Sequence, residues 1–303
     1  LHLSLRRQRQ MCIRDRSLGV QWNPVDDNFI FKSNWELHST LTKRNCLSNT
    51  AKIFDPMGWL SPFVVSAKIL LQKLWQLKLG WDTVLPEIIA KAFEKFQKQL
   101  INLEKIKIPR WFQNTSENVS LFGFSDASES ACAAVVYWHS VDKYGQVNTN
   151  LVASKTKVAP LKRISLARLE LIAAEKLSDL MKKIISVFKH ITFQVQAFTD
   201  STIVLSWLSR EPHHWKTFVA NRVTKVQEIL PFSVWSHVNS EDNSADPASR
   251  GIPLDELISH KLWWHGPEWL KNPVPKSPSK FNFNSSALEE GKTLTIGHVT
   301  IKG

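Results

Sequence analysis

Between residues 119 and 250 the chain lays down apolar runs in an order that few folds accept. Three strand-length runs come first, at 119–125, 131–139 and 147–154. Ser128-Glu129-Ser130 and Lys143-Tyr144-Gly145 fill the gaps, so the spacing predicts consecutive hairpins. Residues 165–188 then carry Leu166, Leu169, Ile172 and Ala173 at helical spacing. A strand at Phe193–Thr199, a short helix near 202–209, a helical segment from Pro212 to about Ile229, a strand at Ser233–Val238 and a short helix near 245–250 follow. The order is βββαβααβα. Strands reached through a helical crossover rejoin a sheet in parallel, whereas hairpins pair antiparallel. The expectation is an α/β fold, a mixed five-stranded sheet with flanking helices.

Upstream, residues 18–31 read as a hairpin around Asn23-Pro24 and Asp26-Asp27-Asn28. Ser61-Pro62 gives a helix start, Ser as N-cap and Pro at the first helical position, followed by Val65, Ile69, Leu70, Leu74 and Leu77. After Pro86, Ile89, Phe93, Phe96, Leu100 and Leu103 form one apolar stripe. Neither helix carries evident chemistry. Pro109 and the polar residues 113–118 mark a linker, which leaves 46–115 as a small helical region ahead of a domain at 119–252. Beyond 252, Trp263-Trp264, Trp269, Pro273, Pro275 and Pro278 read as a Pro-rich linker that loses globular character, so 253–303 is expected to be linker and tail. Residues 1–16 do not fit the pattern that follows; they are expected to be disordered or an assembly artefact and are given no function. With its first Met at position 11, the chain is expected to be a piece of a longer reading frame.

Four acids interrupt or close apolar or small-residue runs: Asp126, Glu170, Asp200 and Asp246. A carboxylate that ends an apolar strand is costly unless something positive meets it. If the first and fourth strands of the series are neighbours, Asp126 and Asp200 emerge at one sheet edge. The long helix can then bring Glu170 over that edge and the last helix can add Asp246. Carboxylates that close raise one another's pKa, and a divalent cation removes the conflict. Mg²⁺ takes oxygen ligands and substrate phosphate, and a pair of such ions ~3.5–4 Å apart activates water and stabilises a leaving oxygen; Mn²⁺ suits the same ligands. Plainer readings stand beside this one. Asp126 also reads as a turn residue, and Asp200 and Asp246 as helix N-caps; Glu170, inside an apolar stripe, has no such alternative.

The basic residues are unevenly spread. From Lys155 to Lys189 nine Lys or Arg face three acids. Lys155, Lys157, Lys162 and Arg163, expected in a loop before the helix that holds Glu170, and Arg168 on that helix are the candidates for phosphate contacts. A solvated helix face explains the same charges equally well. Trp207, Trp215 and Trp235 read either as stacking platforms or as core. The whole chain, 303 residues and +12 in net charge, suits an acidic partner such as nucleic acid. Cys12, Cys46 and Cys132 are too far apart for a disulfide framework or a Cys-type zinc site, which suits a reducing, intracellular compartment. No apolar run approaches ~18 residues, so no membrane span is expected, and the Arg-rich start lacks the apolar segment of a secretory leader.

Several segments together resemble one family. Ala51-Lys52-Ile53-Phe54-Asp55-Pro56-Met57-Gly58-Trp59-Leu60-Ser61-Pro62, Ser154-Lys155-Thr156-Lys157-Val158-Ala159-Pro160-Leu161, Arg168-Leu169-Glu170-Leu171 and Asn243-Ser244-Ala245-Asp246-Pro247-Ala248-Ser249-Arg250-Gly251 are similar to the Pol polyprotein of BEL/Pao retrotransposons. Leu18-Gly19-Val20-Gln21-Trp22 resembles the end of its reverse-transcriptase domain. Ala167 and Ser244 stand where the group usually has Pro, and neither change removes an acid. The resemblance covers about residues 17–270 and implies a type 1 ribonuclease H domain at 119–252. It implies that 17–45 end a reverse-transcriptase domain and that 46–115 form its connection region. It further implies that Asp126, Glu170, Asp200 and Asp246 bind two Mg²⁺, and that His237, nine residues before Asp246, helps proton transfer or product release. The implied substrate is an RNA–DNA hybrid. The implied setting is a cytoplasmic virus-like particle, with a reverse transcriptase upstream and an integrase downstream.

Two other functions stay open at this point. A connection module that binds hybrid without cutting it fits the charge equally. An aspartic peptidase fits poorly: neither Asp126-Ala127-Ser128 nor Asp200-Ser201-Thr202 supplies the Gly of an Asp-Thr/Ser-Gly loop. Polymerisation is not carried here, because neither Tyr137 nor Tyr144 opens a Tyr-x-Asp-Asp motif.

Overall fold

The structure, a computed structural model, describes residues 20–31, 38, 40–111, 119–276 and 281–291. Residues 1–16, most of the expected linker at 109–118 and the end of the tail lie outside the described residues.

The βββαβααβα series folds as expected. Strands β4 (Val119–Ala127), β5 (Ala131–Val141), β6 (Val147–Val158), β7 (Phe193–Thr199) and β8 (Trp235–His237) form one sheet in the order β6-β5-β4-β7-β8. β4, β5 and β6 pair antiparallel, whereas β7 pairs parallel to β4 and β8 parallel to β7. Helix α4 (Leu166–Val187) makes the crossover from the edge strand β6 to β7, and α5 (Thr202–Leu208) and α6 (Thr217–Gln227) connect β7 to β8. Two elements are shorter than their pattern suggested. The segment after Pro212 splits into a 3₁₀ turn, Pro212–His214, and α6, because Trp215 leaves the helical path in an extended conformation. Residues 232–234 make a 3₁₀ turn ahead of β8 instead of lengthening it.

Side chains alternate between the two faces of this sheet. Leu121, Val136 and Trp138 meet Leu171, Leu177 and Met181 of α4 and Val219, Val223 and Val226 of α6. Gly123 permits this: a Cβ there would lie 2.6 Å from Leu177 Cδ1 and from Met181 Cε. Phe122, Phe124, Val135, Tyr137 and Phe198 point to the opposite face, where Trp263 and Trp269 meet them alongside the N-terminal elements. Those elements are a three-stranded sheet, β1 (Val20–Asn23), β2 (Asn28–Phe31) and β3 (Lys107–Pro109), and helices α1 (Lys43–Ala51), α2 (Ser61–Gln76) and α3 (Glu87–Gln99).

The expected cap of α2 is displaced by one residue. Leu60 occupies the N-cap, and Ser61 lies within the helix. No side chain caps the helix; Asp55 braces the turn ahead of it, accepting the backbone N–H of Trp59 at 2.9 Å and of Leu60 at 2.7 Å. Ser61 Oγ lies 2.7 Å from Ser154 Oγ of β6 and donates to it, since the single Ser154 proton goes to the Gly58 carbonyl.

The expectation of a non-globular linker after 252 is corrected. Helices α7 (Asp246–Arg250), α8 (Leu254–Ile258) and α9 (Lys261–His265) continue the fold. Leu254, Leu257, Trp263 and Leu270 are fully buried, and Trp263 donates its indole N–H to the Trp59 carbonyl at 2.9 Å. Apolar residues spaced over short, Pro-interrupted turns lack a helical period, so the pattern concealed their burial. Part of the tail is placed as well. Residues 285–290 form a 3₁₀ turn, and Ala287 is buried, its carbonyl accepting the Trp207 indole N–H at 3.0 Å. No helix among the described residues is long and apolar enough to cross a membrane.

Candidate active site

The parallel pairing of β4 with β7 sets the site. Ser125 lies opposite Thr199, so Asp126, still paired with Ala133 of β5, and Asp200, the residue after β7, come at the same end of the sheet. Helix α4 places Glu170 in its second turn beside them, and α7 opens with Asp246.

Burial and mutual repulsion govern the first two acids. Asp126 is 6% exposed, and burial raises its carboxyl to about 6. The Ser249 hydroxyl, which donates to it, opposes that rise, while the charges of Asp200 and Asp246 add to it. Glu170 is pushed up to about 7, first by burial; the Ser201 hydroxyl opposes, and Asp200 and Asp126 reinforce. Asp200 accepts Ser240 Oγ at 2.8 Å and the Asn243 amide at 3.2 Å. Asn243, itself fully buried, also donates to the Ser125 carbonyl at 3.1 Å and so ties the end of β4 to Asp200. Asp246 pairs with the Arg250 guanidinium one helical turn on. His237 ends β8 with Nε2 3.1 Å from the Asp200 carbonyl oxygen. A carbonyl can only accept, so that nitrogen carries the proton.

The plainer readings of the acids go to their neighbours. Ser128, not Asp126, organises the turn, its hydroxyl accepting the N–H of Ser130 and Ala131 at 3.1 and 3.2 Å. Ser201, not Asp200, caps α5, accepting the Val204 N–H. Ala245 is the N-cap of α7, and no side chain caps that helix. The four carboxylates are thus free of local capping duties. No group of three His, Cys, Asp or Glu among the described residues is drawn close enough to hold an ion, since serine hydroxyls and Arg250 hold the individual acids.

The basic candidates separate into three groups. Lys155 and Lys157 are exposed on β6, not in a loop, because the apolar run continues into an edge strand that ends at Val158. Lys162 and Arg163 do lie in the exposed loop before α4, and Arg163 faces Glu129 at 3.6 Å. Arg168 is engaged by the C-terminal segment: Nε lies 2.9 Å from Glu290 Oε1, and the guanidinium lies 4.8 Å over the Phe218 ring. Trp207, Trp215 and Trp235 are core residues, each at most 5% exposed.

Sequence reading missed Ser201, Ser240, Asn243, Ser249 and Arg250 as partners of the acids. Only Arg250 had a signal, its spacing of four from Asp246 at the end of a short helix. A cavity of about 630 Å³ lies elsewhere, between residues 53–58, α2, α4 and β6; none of the four acids lines it.

Comparison with solved structures returns ribonucleases H and reverse transcriptases. Ribonuclease H1 from the archaeon Halobacterium salinarum is 18% identical, with 47% of this chain and 98% of that one covered and a TM-score of 0.28. LC11 ribonuclease H1 in complex with RNA/DNA hybrid is 13% identical, with 48% and 99% covered and a TM-score of 0.30. A foamy viral protease–reverse transcriptase in complex with RNA/DNA hybrid is 12% identical, with 74% and 28% covered and a TM-score of 0.43. No curated protein matches. The family model of the Pao retrotransposon-like RNaseH-like domain matches residues 42–201, from the start of α1 through Asp200 and Ser201. The mixed five-stranded sheet agrees with that description, and the chain belongs to the Pao retrotransposon-like RNaseH-like domain family.

Proposed function

We propose that this chain cuts the RNA strand of RNA–DNA hybrids with a two-metal site formed by Asp126, Glu170, Asp200 and Asp246. The observation that supports this reading is the parallel pairing of β4 and β7, which ends two neighbouring strands on acids under a helix that adds a third. The donor set suits hard divalent cations, being all oxygen, and Asp126 and Glu170 are raised first by burial and further by the neighbouring carboxylates. Bound Mg²⁺ or Mn²⁺ would supply an activated water and charge neutralisation at the phosphodiester. Asp200, held by Ser240 and Asn243, keeps a fixed orientation, and His237, anchored on the Asp200 carbonyl, is placed to move a proton at the leaving group. Lys155, Lys157, Lys162 and Arg163 would carry phosphate contacts, and hybrid shape and 2′-hydroxyls would set strand choice. In this reading the chain works within a cytoplasmic Pol polyprotein, between reverse transcriptase and integrase. The test is cleavage of a labelled hybrid by the full chain with Mg²⁺ or Mn²⁺; cleavage unchanged in Asp200→Asn sinks the assignment.

A second reading is a module that binds hybrid without cutting it. It is favoured by the Arg250–Asp246 pair and by the absence, among the described residues, of three acids close enough to enclose an ion. Metal-independent hybrid binding with no cleavage in the same assay would select it.

A further inference from the structure

Two tryptophans stand at the surface where α2 ends. Trp75 is 43% exposed and Trp81 47%, and their rings meet edge to face with centroids 5.8 Å apart. The pair is built rather than loose. Lys78, in the left-handed region at φ 52°, turns the chain back after the helix. The Trp81 carbonyl accepts the Arg44 backbone N–H at 3.0 Å, and the Arg44 guanidinium grips Asp82 at 2.7 and 2.9 Å. Lys43 Nζ lies 4.2 Å from the Trp75 centroid and 5.2 Å from that of Trp81, and Arg44 Cζ lies 5.8 Å from the latter.

We propose that Trp75 and Trp81, braced by Lys43 and Arg44, form a stacking site for the unpaired bases of a nucleic-acid single strand, the overhang of a hybrid whose duplex lies on the acidic edge. Large, part-exposed rings give bases a surface to stack on, and every linkage carries a phosphate that the exposed Lys73 and Lys78 can meet, whereas Lys43 is buried against the rings and Arg44 is held by Asp82. Charge favours this occupant: from residue 73 to residue 82 the chain has Lys73 and Lys78 against Asp82, which Arg44 already neutralises. Position favours it too. A groove of about 360 Å³ is lined by Gln72 and Gln76 of α2, by Arg163 and by Leu166 and Leu169 of α4. It thus joins the helix that carries Glu170 to the last turn of α2, where Trp75 sits. Gln72 fixes the groove by donating to the Ala159 carbonyl at 2.7 Å.

The site extends the hybrid reading to a neighbouring surface. Its test reads binding alone, in EDTA, so either can fail without the other. Labelled deoxythymidine and uridine oligomers, a blunt hybrid and the same hybrid with a DNA or an RNA overhang are titrated with the full chain and followed by fluorescence anisotropy. Trp75→Leu and Trp81→Leu keep apolar bulk but lose the π-face, and each should weaken single-strand and overhang binding about tenfold. Trp75→Phe and Trp81→Phe should retain it, and the blunt hybrid should not distinguish any of them. The DNA and RNA arms identify which strand occupies the site. Leu variants that bind overhangs like the parent overturn the proposal, as do losses of equal size on blunt and overhanging hybrids. A Leu variant that alters only self-association in sedimentation overturns it as well, because the face would then meet a second copy.

Discussion

Two turns of this molecule bury acids, and they treat them in opposite ways. Asp55, in the turn before α2, is raised to about 6 by burial, while the N–H groups of Leu60, Trp59 and Gly58, and the charge of Lys68, oppose the rise. At the sheet edge, Asp126 and Glu170 are raised to about 6 and about 7, and there neighbouring carboxylates add to the burial. One hydroxyl each, with Arg250 facing Asp126, opposes them. The first acid is closed by its own chain and ends a local problem. In the second group burial and neighbouring carboxylates act in the same direction, against fewer opposing partners. Asp55, Asp126 and Glu170 all lie within the residues that the same family model matches, so a family match alone does not separate architecture from chemistry. The partners of each acid do.

The largest expected effect tests that separation directly. Asp200→Asn should lower metal-dependent hybrid cleavage by more than about 100-fold, since even partners behind metal ligands cost about 10–100-fold. Asp55→Asn should leave the cleavage rate unchanged and lower Tm, because the two N–H groups point at different carboxylate oxygens and one of them would face the amide NH2, itself a donor. Kinetics and thermal melts of both variants check the pair. A large rate loss in Asp55→Asn with Tm intact would erase the distinction.

The docking of the Asp55 turn is the next point to break. Gly58 has φ +75°, and a Cβ there would lie 2.2 Å from the Ser154 carbonyl oxygen of β6. Met57 and Gly58 also bond β6 through the Ser154 N–H and hydroxyl. Gly58→Ala therefore combines backbone strain with a clash against main chain and should lower stability by about 3 kcal/mol or more. Denaturant unfolding reads it, and a variant as stable as the parent would show that the turn is not fixed on the sheet.

The third test concerns pH. Glu170 binds its proton more tightly folded than unfolded, so its favourable contribution is complete below about pH 4 and is lost as pH rises through about 7. In EDTA, the parent should lose up to about 3 kcal/mol relative to Glu170→Gln across that window. Added Mg²⁺ at pH 7.5 should return it to the parent and not to the variant. Tm measured against pH with and without metal is the readout, and parallel curves for the two proteins would remove the raised Glu170 carboxyl from the account.

What the sequence revealed follows the range of each interaction. The βββαβααβα order was legible because period-2 and period-3.6 patterns are local, and the edge position of Asp126 and Asp200 followed once strands one and four of the series were taken as neighbours. The partners of the acids were not legible. Ser249 reaches Asp126 across 123 positions and Asn243 reaches Asp200 across 43. Nothing in a serine or asparagine side chain announces such a contact. The packed segment at 254–270 failed for a related reason: its burial is set by Trp59, Tyr137 and the sheet face, none of them near in sequence. Arg168 shows the limit of charge counting, since a basic residue beside Glu170 is taken by Glu290, far along the chain.

Arg168 and Lys157 therefore give the finest test, because both were candidates on charge and their surroundings differ. Lys157 stands exposed on β6, whose Thr156 pairs with Ala133 and so with the row that contains Asp126. Each phosphate neutralised by a lysine releases counterions, so Lys157→Ala should reduce the slope of log affinity against log salt by about one for a hybrid. Arg168→Ala should leave that slope unchanged, since its guanidinium already pairs with Glu290 and a phosphate would gain only by displacing a carboxylate. Glu290→Gln should do the reverse of Lys157→Ala, freeing a cation and steepening the slope. If all three variants share the parent slope, the hybrid does not cross this side of the sheet, and the phosphate contacts fall to Lys162 and Arg163 in the loop before α4.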